Sequence, residues 1–145
     1  MDFGKLVLAD MEPAALLHRA SFDAALPSLR GLHTPAEDKS YFLSLHGSCD
    51  CWGAFENKSL VGILILREEW VEQLYVAPHL QRKGIGARLL DIAMERREAL
   101  SLWTFVQNVN AQAFYEQRGF TKIRETDGSE NEEGAPALLY QWRRR

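Results

Sequence analysis

The sequence predicts a mixed α/β (α+β) domain, helices layered on one central sheet. Three observations carry this. Short apolar strands alternate with amphipathic helices along the whole 145-residue chain. Two segments, Leu60–Leu66 and Leu100–Val106, are apolar on both faces, as central strands covered on each side must be. Between them, the strand Trp70–Val76 runs through Pro78 into a glycine-rich basic turn, Gln81-Arg82-Lys83-Gly84-Ile85-Gly86-Ala87, where a helix begins.

Taken in order, Lys5–Ala9 reads as a short opening strand. Asp10 is a candidate N-cap, and Pro13 is tolerated in the first turn of a helix reaching about Ala25. Leu16, Leu17, Ala20 and Ala24 are its expected core face. Thr34-Pro35-Ala36-Glu37 is a capping box with proline at the first helical position. The second helix therefore starts at Pro35 and presents Tyr41, Phe42 and Leu45 to the core. Cys49–Phe55 and Ser59–Leu66 flank the polar turn Glu56-Asn57-Lys58 as a hairpin. After the strand Trp70–Val76 and the glycine-rich turn, a helix extends to about Glu98, with Ile85, Leu89, Ile92 and Ala93 on one face. Leu100–Val106 follows as a strand. Asn110 is the expected cap of a short helix Ala111–Arg118, which Gly119 ends in the left-handed position. Phe120–Thr126 and Ala137–Trp142 are the last strands, separated by the acidic loop Asp127–Pro136. The order is β-α-α-β-β-β-α-β-α-β-β, with no repeat and no internal boundary, so residues 1–145 read as one domain.

Composition narrows the function classes. Hydrophobic and charged contents of 46% and 26% are those of an ordinary globular protein. A net charge of −3 disfavours wholesale nucleic-acid binding. No apolar run approaches the ~20 residues of a membrane helix. The start, MDFGKLVLAD, lacks the pattern of a secretory signal, which makes the cytoplasm the expected location. Cys49 and Cys51 lie in one short segment and staple nothing distant, and the four histidines have no metal-ligand spacing. No metal is expected.

The turn at Gln81–Ala87 has the chemistry of an anion site. The first turn of a helix offers unpartnered N–H groups at the positive end of its dipole. Gly84 and Gly86 lack Cβ, so a phosphate could approach the backbone, and Arg82 and Lys83 add charge. A P-loop needs a Gly-Lys-Ser/Thr ending, which is missing, and Leu89 stands where a dinucleotide fingerprint needs a third small residue. The pattern Gln/Arg-x-x-Gly-x-Gly/Ala between strand and helix resembles the coenzyme A pyrophosphate loop of the GNAT superfamily of N-acetyltransferases, matched here by Gln81, Gly84 and Gly86. A second stretch, with Asn110, Ala113, Tyr115 and Gly119-Phe120, is similar to that family's Asn, Ala, Tyr and Gly-Phe landmark on the helix after the fifth strand. An ordinary βα turn with incidental glycines is the plain alternative to the first motif alone.

The resemblance implies the GNAT fold: a mixed, mostly antiparallel sheet of about seven strands flanked by about four helices, splayed between the fourth and fifth strands. It implies acetyl-CoA as donor, with no metal. The acceptor would be a primary amine of a small molecule or a protein, attacked directly in a ternary complex. By the same resemblance, Leu74, Tyr75 and Val76 would bond pantetheine through their backbone, and amides from Arg82, Lys83, Gly84, Ile85, Gly86 and Ala87 would hold the pyrophosphate. The N–H of Val76 would meet the oxyanion. Tyr115 would be the general acid, and Asn110 could bond the cofactor as well as cap its helix. Neither a nucleic-acid nor a membrane partner is implied; a homodimer stays open.

An alkyl amine, pKa near ~10, must lose a proton before attack. Glu72 is the candidate base, read as sharing a strand face with Leu74 and Val76, with Glu68 and Glu69 as rivals. The resemblance also implies an acceptor site built from the first two helices, their connection and the last strands, which makes Phe22, Leu29, His33, Trp52 and Trp103 candidate walls and Asp127–Glu133 an acidic rim suited to a cationic amine. A GNAT-fold module that senses acyl-CoA without turnover is the rival function.

Overall fold

The computed structural model describes residues 1–145. Strands β1 (Asp2–Lys5), β2 (Asp50–Glu56), β3 (Ser59–Arg67), β4 (Trp70–Val76), β5 (Ala99–Phe105), β6 (Thr121–Thr126) and β7 (Ala137–Arg143) form one sheet. Its order is β1-β2-β3-β4-β5-β7-β6. Helices α1 (Met11–Ala25), α2 (Pro35–Ser48), α3 (Ile85–Arg96) and α4 (Val109–Gln117) complete the layers. Every strand pair is antiparallel except β4–β5. Those two meet only at Trp70 and Ser101, where Ser101 N–H donates to the Glu69 carbonyl at 2.8 Å. Beyond that point they part, and the facing edge of β4 has no strand partner. The expected seven strands, four helices and central splay are all present. No helix is long and apolar enough to cross a membrane.

The opening strand is Asp2–Lys5, not Lys5–Ala9. Leu8–Asp10 instead forms a 3-10 turn, closed by Val7 N–H donating to Asp10 Oδ2 at 2.8 Å. That bond occupies the Asp10 carboxylate, which therefore does not cap α1. Helix α1 also turns a different face inward: Met11, Ala14, Ala15, Leu17, Ser21 and Phe22 are buried, while Leu16, Ala20 and Ala24 are exposed. Leucines and alanines surround this helix, so apolar spacing does not single out one stripe.

Helix α2 begins as its capping box requires. Thr34 Oγ1 accepts from Glu37 N–H at 3.1 Å, and Glu37 returns the bond to Thr34 N–H at 2.8 Å. Phe42 and Leu45 are buried, whereas Tyr41 stays exposed beside the cleft described below. Arg19 of α1 grips Asp38 of α2 through two bonds of 2.9 Å, Nε to Oδ2 and Nη2 to Oδ1. Paired guanidinium–carboxylate bonds fix orientation as well as distance, so this clasp sets how α1 and α2 lie against each other.

Helix α4 is capped by Asn108, not Asn110. Asn108 Oδ1 accepts from Ala111 N–H at 3.2 Å. Asn110 lies one residue inside the helix and is exposed. The Asn-x-x-Ala spacing is thus carried by Asn108 and Ala111. At the other end, Phe120 N–H bonds the Tyr115 carbonyl at 3.1 Å and Gly119 N–H the Glu116 carbonyl at 3.2 Å. With Gly119 at φ 89° and the Tyr115 and Phe120 rings 5.4 Å apart, this is a Schellman cap with its hydrophobic contact. It pins Tyr115 into the core.

Candidate active site

The parted strands leave a run of β4 backbone open. Ala77 N–H bonds the Val61 carbonyl at 2.8 Å, toward β3. By the alternation of an antiparallel ladder, the peptide groups of Leu74 and Val76 point the other way, into the gap. The Val76 carbonyl already accepts from Ser21 Oγ at 3.0 Å and Gln81 Nε2 at 3.2 Å. Gln81 therefore folds back to tie the glycine-rich turn to the end of β4. Its side chain holds the turn in place instead of reaching outward.

At the turn, Gly84 is the N-cap of α3 with φ 83°, and its carbonyl accepts the first helical bond, from Arg88 N–H at 3.1 Å. The N–H groups of Ile85, Gly86 and Ala87 accordingly have no partner within the helix. A left-handed residue followed by right-handed ones turns successive N–H groups to one side, a concave anion seat. A Cβ at Gly84 would meet nothing within 4 Å, so the space at the turn is open. Arg82, also left-handed at φ 65°, and Lys83 are exposed there. Gly86 lies against Phe114 and Val76, which a Cβ would approach at 3.5 and 3.6 Å. The residues present fit a pantetheine-bearing nucleotide: an open peptide edge leads to an open, positively charged N–H seat.

Tyr115 of α4 is 9% exposed, with its ring packed on Phe114, Phe120 and Tyr140. Burial pushes its phenol well above the usual range, and Tyr75 of β4 is near enough to add to the shift. The neighbouring Tyr140 hydroxyl is committed to Glu116, to which it donates at 2.6 Å. Tyr115 is thus a buried phenol that keeps its proton at neutral pH.

On the α1–α2 side of the sheet lies a cleft of about 590 Å³. Glu72, Gln73 and Tyr75 of β4 form its floor. Glu72 has no counterpart in β3: Gln73 pairs with Ile65 and Val71 with Leu66, so Glu72 is a bulge residue. A bulge breaks the alternation of faces. Glu72 therefore joins Gln73 and Tyr75 in the cleft, and does not share the face of Leu74 and Val76. Its Oε1 lies 3.5 Å from Arg67 Nε. Glu68 and Glu69 are exposed at the turn and do not line the cleft.

The expected walls divide. Phe22, Leu29 and His33 line the cleft, as do Glu132 and Glu133 from the acidic loop. Trp103 borders a neighbouring cavity. Trp52 lies elsewhere, on β2, with Lys5 and Arg96 over its ring at 5.2 and 4.2 Å. His33 Nε2 meets Glu132 Oε1 at 2.7 Å across the cleft mouth, and this contact raises the histidine pKa.

Sequence reasoning missed His18, Arg19, Tyr41 and the Gln73 side chain, all of which line the cleft. His18 stands edge-on to Tyr75 at 4.6 Å and also packs on Phe22 and Phe42. Its Nδ1 is buried without a partner. Burial first, then the Arg19 charge, lowers its pKa to about 4, so the ring is neutral at physiological pH. Its place one helical turn from Phe22, on the buried side of α1, was the only sequence signal for it.

Known proteins share this architecture. The structure of the apo form of YjaB from Escherichia coli superposes with a TM-score of 0.80 at 19% identity, over 99% of this chain and 98% of that one. The PaiA N-acetyltransferase of Thermoplasma acidophilum, solved in complex with coenzyme A, gives 0.73 at 20% identity over 98% of each chain. In sequence, 52 residues are 40% identical to a probable N-acetyltransferase of Mycobacterium tuberculosis, a match spanning 34% of this chain and 30% of that protein. The family model for the Acetyltransferase (GNAT) family matches residues 18–120. This stretch holds the cleft floor, the glycine-rich turn and Tyr115, and the chain belongs to the GNAT acetyltransferase family.

Proposed function

We propose that this protein is an acetyl-CoA-dependent N-acetyltransferase that acetylates a primary amine by direct attack in a ternary complex. The single observation that carries the reading is the β4 edge. The side of β4 toward β5 is unpaired beyond Trp70, its end at Val76 lies against Gly86 in the first turn of α3, and Glu72, Gln73 and Tyr75 of the same strand floor an acidic cleft. Acetyl-CoA supplies an activated acyl carbon and a thiolate leaving group. The chain's own residues do the rest.

Leu74, through its free peptide edge, and Val76, through the N–H that its committed carbonyl leaves open, would bind the acyl-pantetheine arm, and the amides of Ile85, Gly86 and Ala87, with Arg82 and Lys83, would hold the pyrophosphate. Gln81 and Ser21, by fixing the Val76 carbonyl, orient the remaining Val76 N–H for the developing oxyanion. Glu72 takes the proton of the entering ammonium, directly or through water. Tyr115 holds a proton for the departing sulfur. Its raised pKa is no obstacle, because the same dry surroundings also raise the basicity of a thiolate. Asn108 and Gly119 hold α4, and so Tyr115, in register.

Incubation of the protein with acetyl-CoA and a panel of amines, read by mass spectrometry of the amine, tests this proposal. Acetylated product that falls sharply with Tyr115→Phe supports it. Tight acetyl-CoA binding with no product from any amine class would instead favour a sensor of acyl-CoA.

A further inference from the structure

Residues 81–83, which lead into the N–H seat of α3, are held by very little. Their backbone makes no hydrogen bond: the last before them runs from Leu80 N–H to the Ala77 carbonyl at 2.9 Å, and the next from Arg88 N–H to the Gly84 carbonyl at 3.1 Å. Within this stretch Arg82 sits at φ 65°, and Gly84 follows at 83°. A residue other than glycine keeps a left-handed backbone only where its surroundings impose it. The hydrogen bonds that residues 81–83 do make all come from the Gln81 side chain, to the Val76 carbonyl at 3.2 Å and to Ser21 Oγ at 3.4 Å.

Ser21 is the fixed end of this tie. It lies in α1, 60 residues from Gln81 in sequence, and is 2% exposed. Its one hydroxyl proton goes to the Val76 carbonyl at 3.0 Å, so Gln81 Nε2 meets a lone pair of the same oxygen. Serine, carbonyl and amide thus close a triangle. A single bond from Gln81 to Val76 would let the side chain swing, whereas a second contact from another element fixes its direction. Ser21 also stands one helical turn from His18 and beside Phe22, both walls of the cleft. The helix that lines the acceptor cleft therefore also anchors the glycine-rich turn.

We infer that Ser21 is a positioning residue for the cofactor: through Gln81 it holds the glycine-rich turn in the shape that presents the α3 N–H groups to a pyrophosphate. The inference rests on the coenzyme A reading of that turn and adds a residue from a different element. A seat already in its bound shape loses little freedom when a phosphate arrives, and one that must first be ordered binds more weakly.

Calorimetry of the full chain, with coenzyme A as the probe, tests this without turnover. Ser21→Ala leaves the Val76 carbonyl its bond from Gln81, so no buried acceptor is orphaned and the variant should melt with the wild type. Its coenzyme A affinity should fall about three- to tenfold, the size of one lost hydrogen bond. In a Gln81→Ala background the same substitution should have no further effect, because the two side chains act through one tie. Hydrogen exchange of amides 82–87 should quicken in Ser21→Ala while that of α1 stays slow. A loss of affinity that persists in full without Gln81, or unaltered exchange at 82–87, overturns the inference. Wild-type binding with an unaffected Ser21→Ala overturns the inference alone; a wild-type chain that binds no coenzyme A overturns the transfer reading and the inference together.

Discussion

Replacing Tyr115 by Phe removes one oxygen and leaves the ring among Phe114, Phe120 and Tyr140. The Schellman cap that seats the residue uses only its backbone carbonyl, so helix α4 should keep its position. The ring contacts are unchanged, and stability should move by no more than about 1 kcal/mol. A positioned acid contributes about 10²-fold or more, so kcat should drop by at least that, equivalent to about 2.7 kcal/mol of lost transition-state stabilisation. Acetyl-CoA affinity should change far less, since a thioester sulfur is a poor hydrogen-bond acceptor until it leaves. Steady-state kinetics, cofactor calorimetry and a melting curve on the one variant separate these quantities. Wild-type kcat with a lowered melting temperature would refute the reasoning and make Tyr115 a packing residue.

Three further outcomes are expected. Gly84→Glu puts a side chain on a backbone held at φ 83° and an anion at the N–H seat; it should abolish acetyl-CoA binding by calorimetry, and unchanged affinity in the folded variant would remove the turn from the site. Glu72→Gln should lower turnover most at neutral pH and least at high pH, where the amine is already free; a pH-independent rate loss would count against its role as base. His18 has a folded pKa of about 4 against 6.5 for the free ring, so the unfolded chain binds more protons between those values. Its contribution, roughly 3 kcal/mol at most, is complete above pH 6.5 and drains away as the pH falls toward 4. His18→Phe should therefore flatten the stability slope in that window, measured by denaturant titration, and an unaltered slope would show that the ring is solvated.

What could be read from the sequence was local. The start of α2 at Pro35 follows from Thr34 and Glu37, three residues apart, and the structure has both bonds. The turn from β4 into α3 and the glycine end of α4 are equally local, and both stand where expected. Errors arose where two local solutions compete. Asn108 and Asn110 are both chemically able to cap α4, and only the backbone path decides for Asn108. The inward face of α1 was misread because its small and apolar residues surround the helix. The bulge at Glu72 is invisible to a two-residue period, yet it moves that carboxylate from one side of the sheet to the other. The cleft is least legible of all, because Arg19–Asp38 and His33–Glu132 join segments far apart in the chain.

The central claim is acetyl transfer to an amine in a single ternary complex. Initial rates of coenzyme A release, with acetyl-CoA and amine varied against each other, test it most directly. Neither cysteine is placed to carry an acyl group: Cys51 is buried, with its thiol pushed up to about 11, and neither it nor the half-buried Cys49 lines the cleft. Release that requires the amine, with intersecting double-reciprocal lines, is the predicted result. Parallel lines, or release at the same rate without any amine, would contradict it.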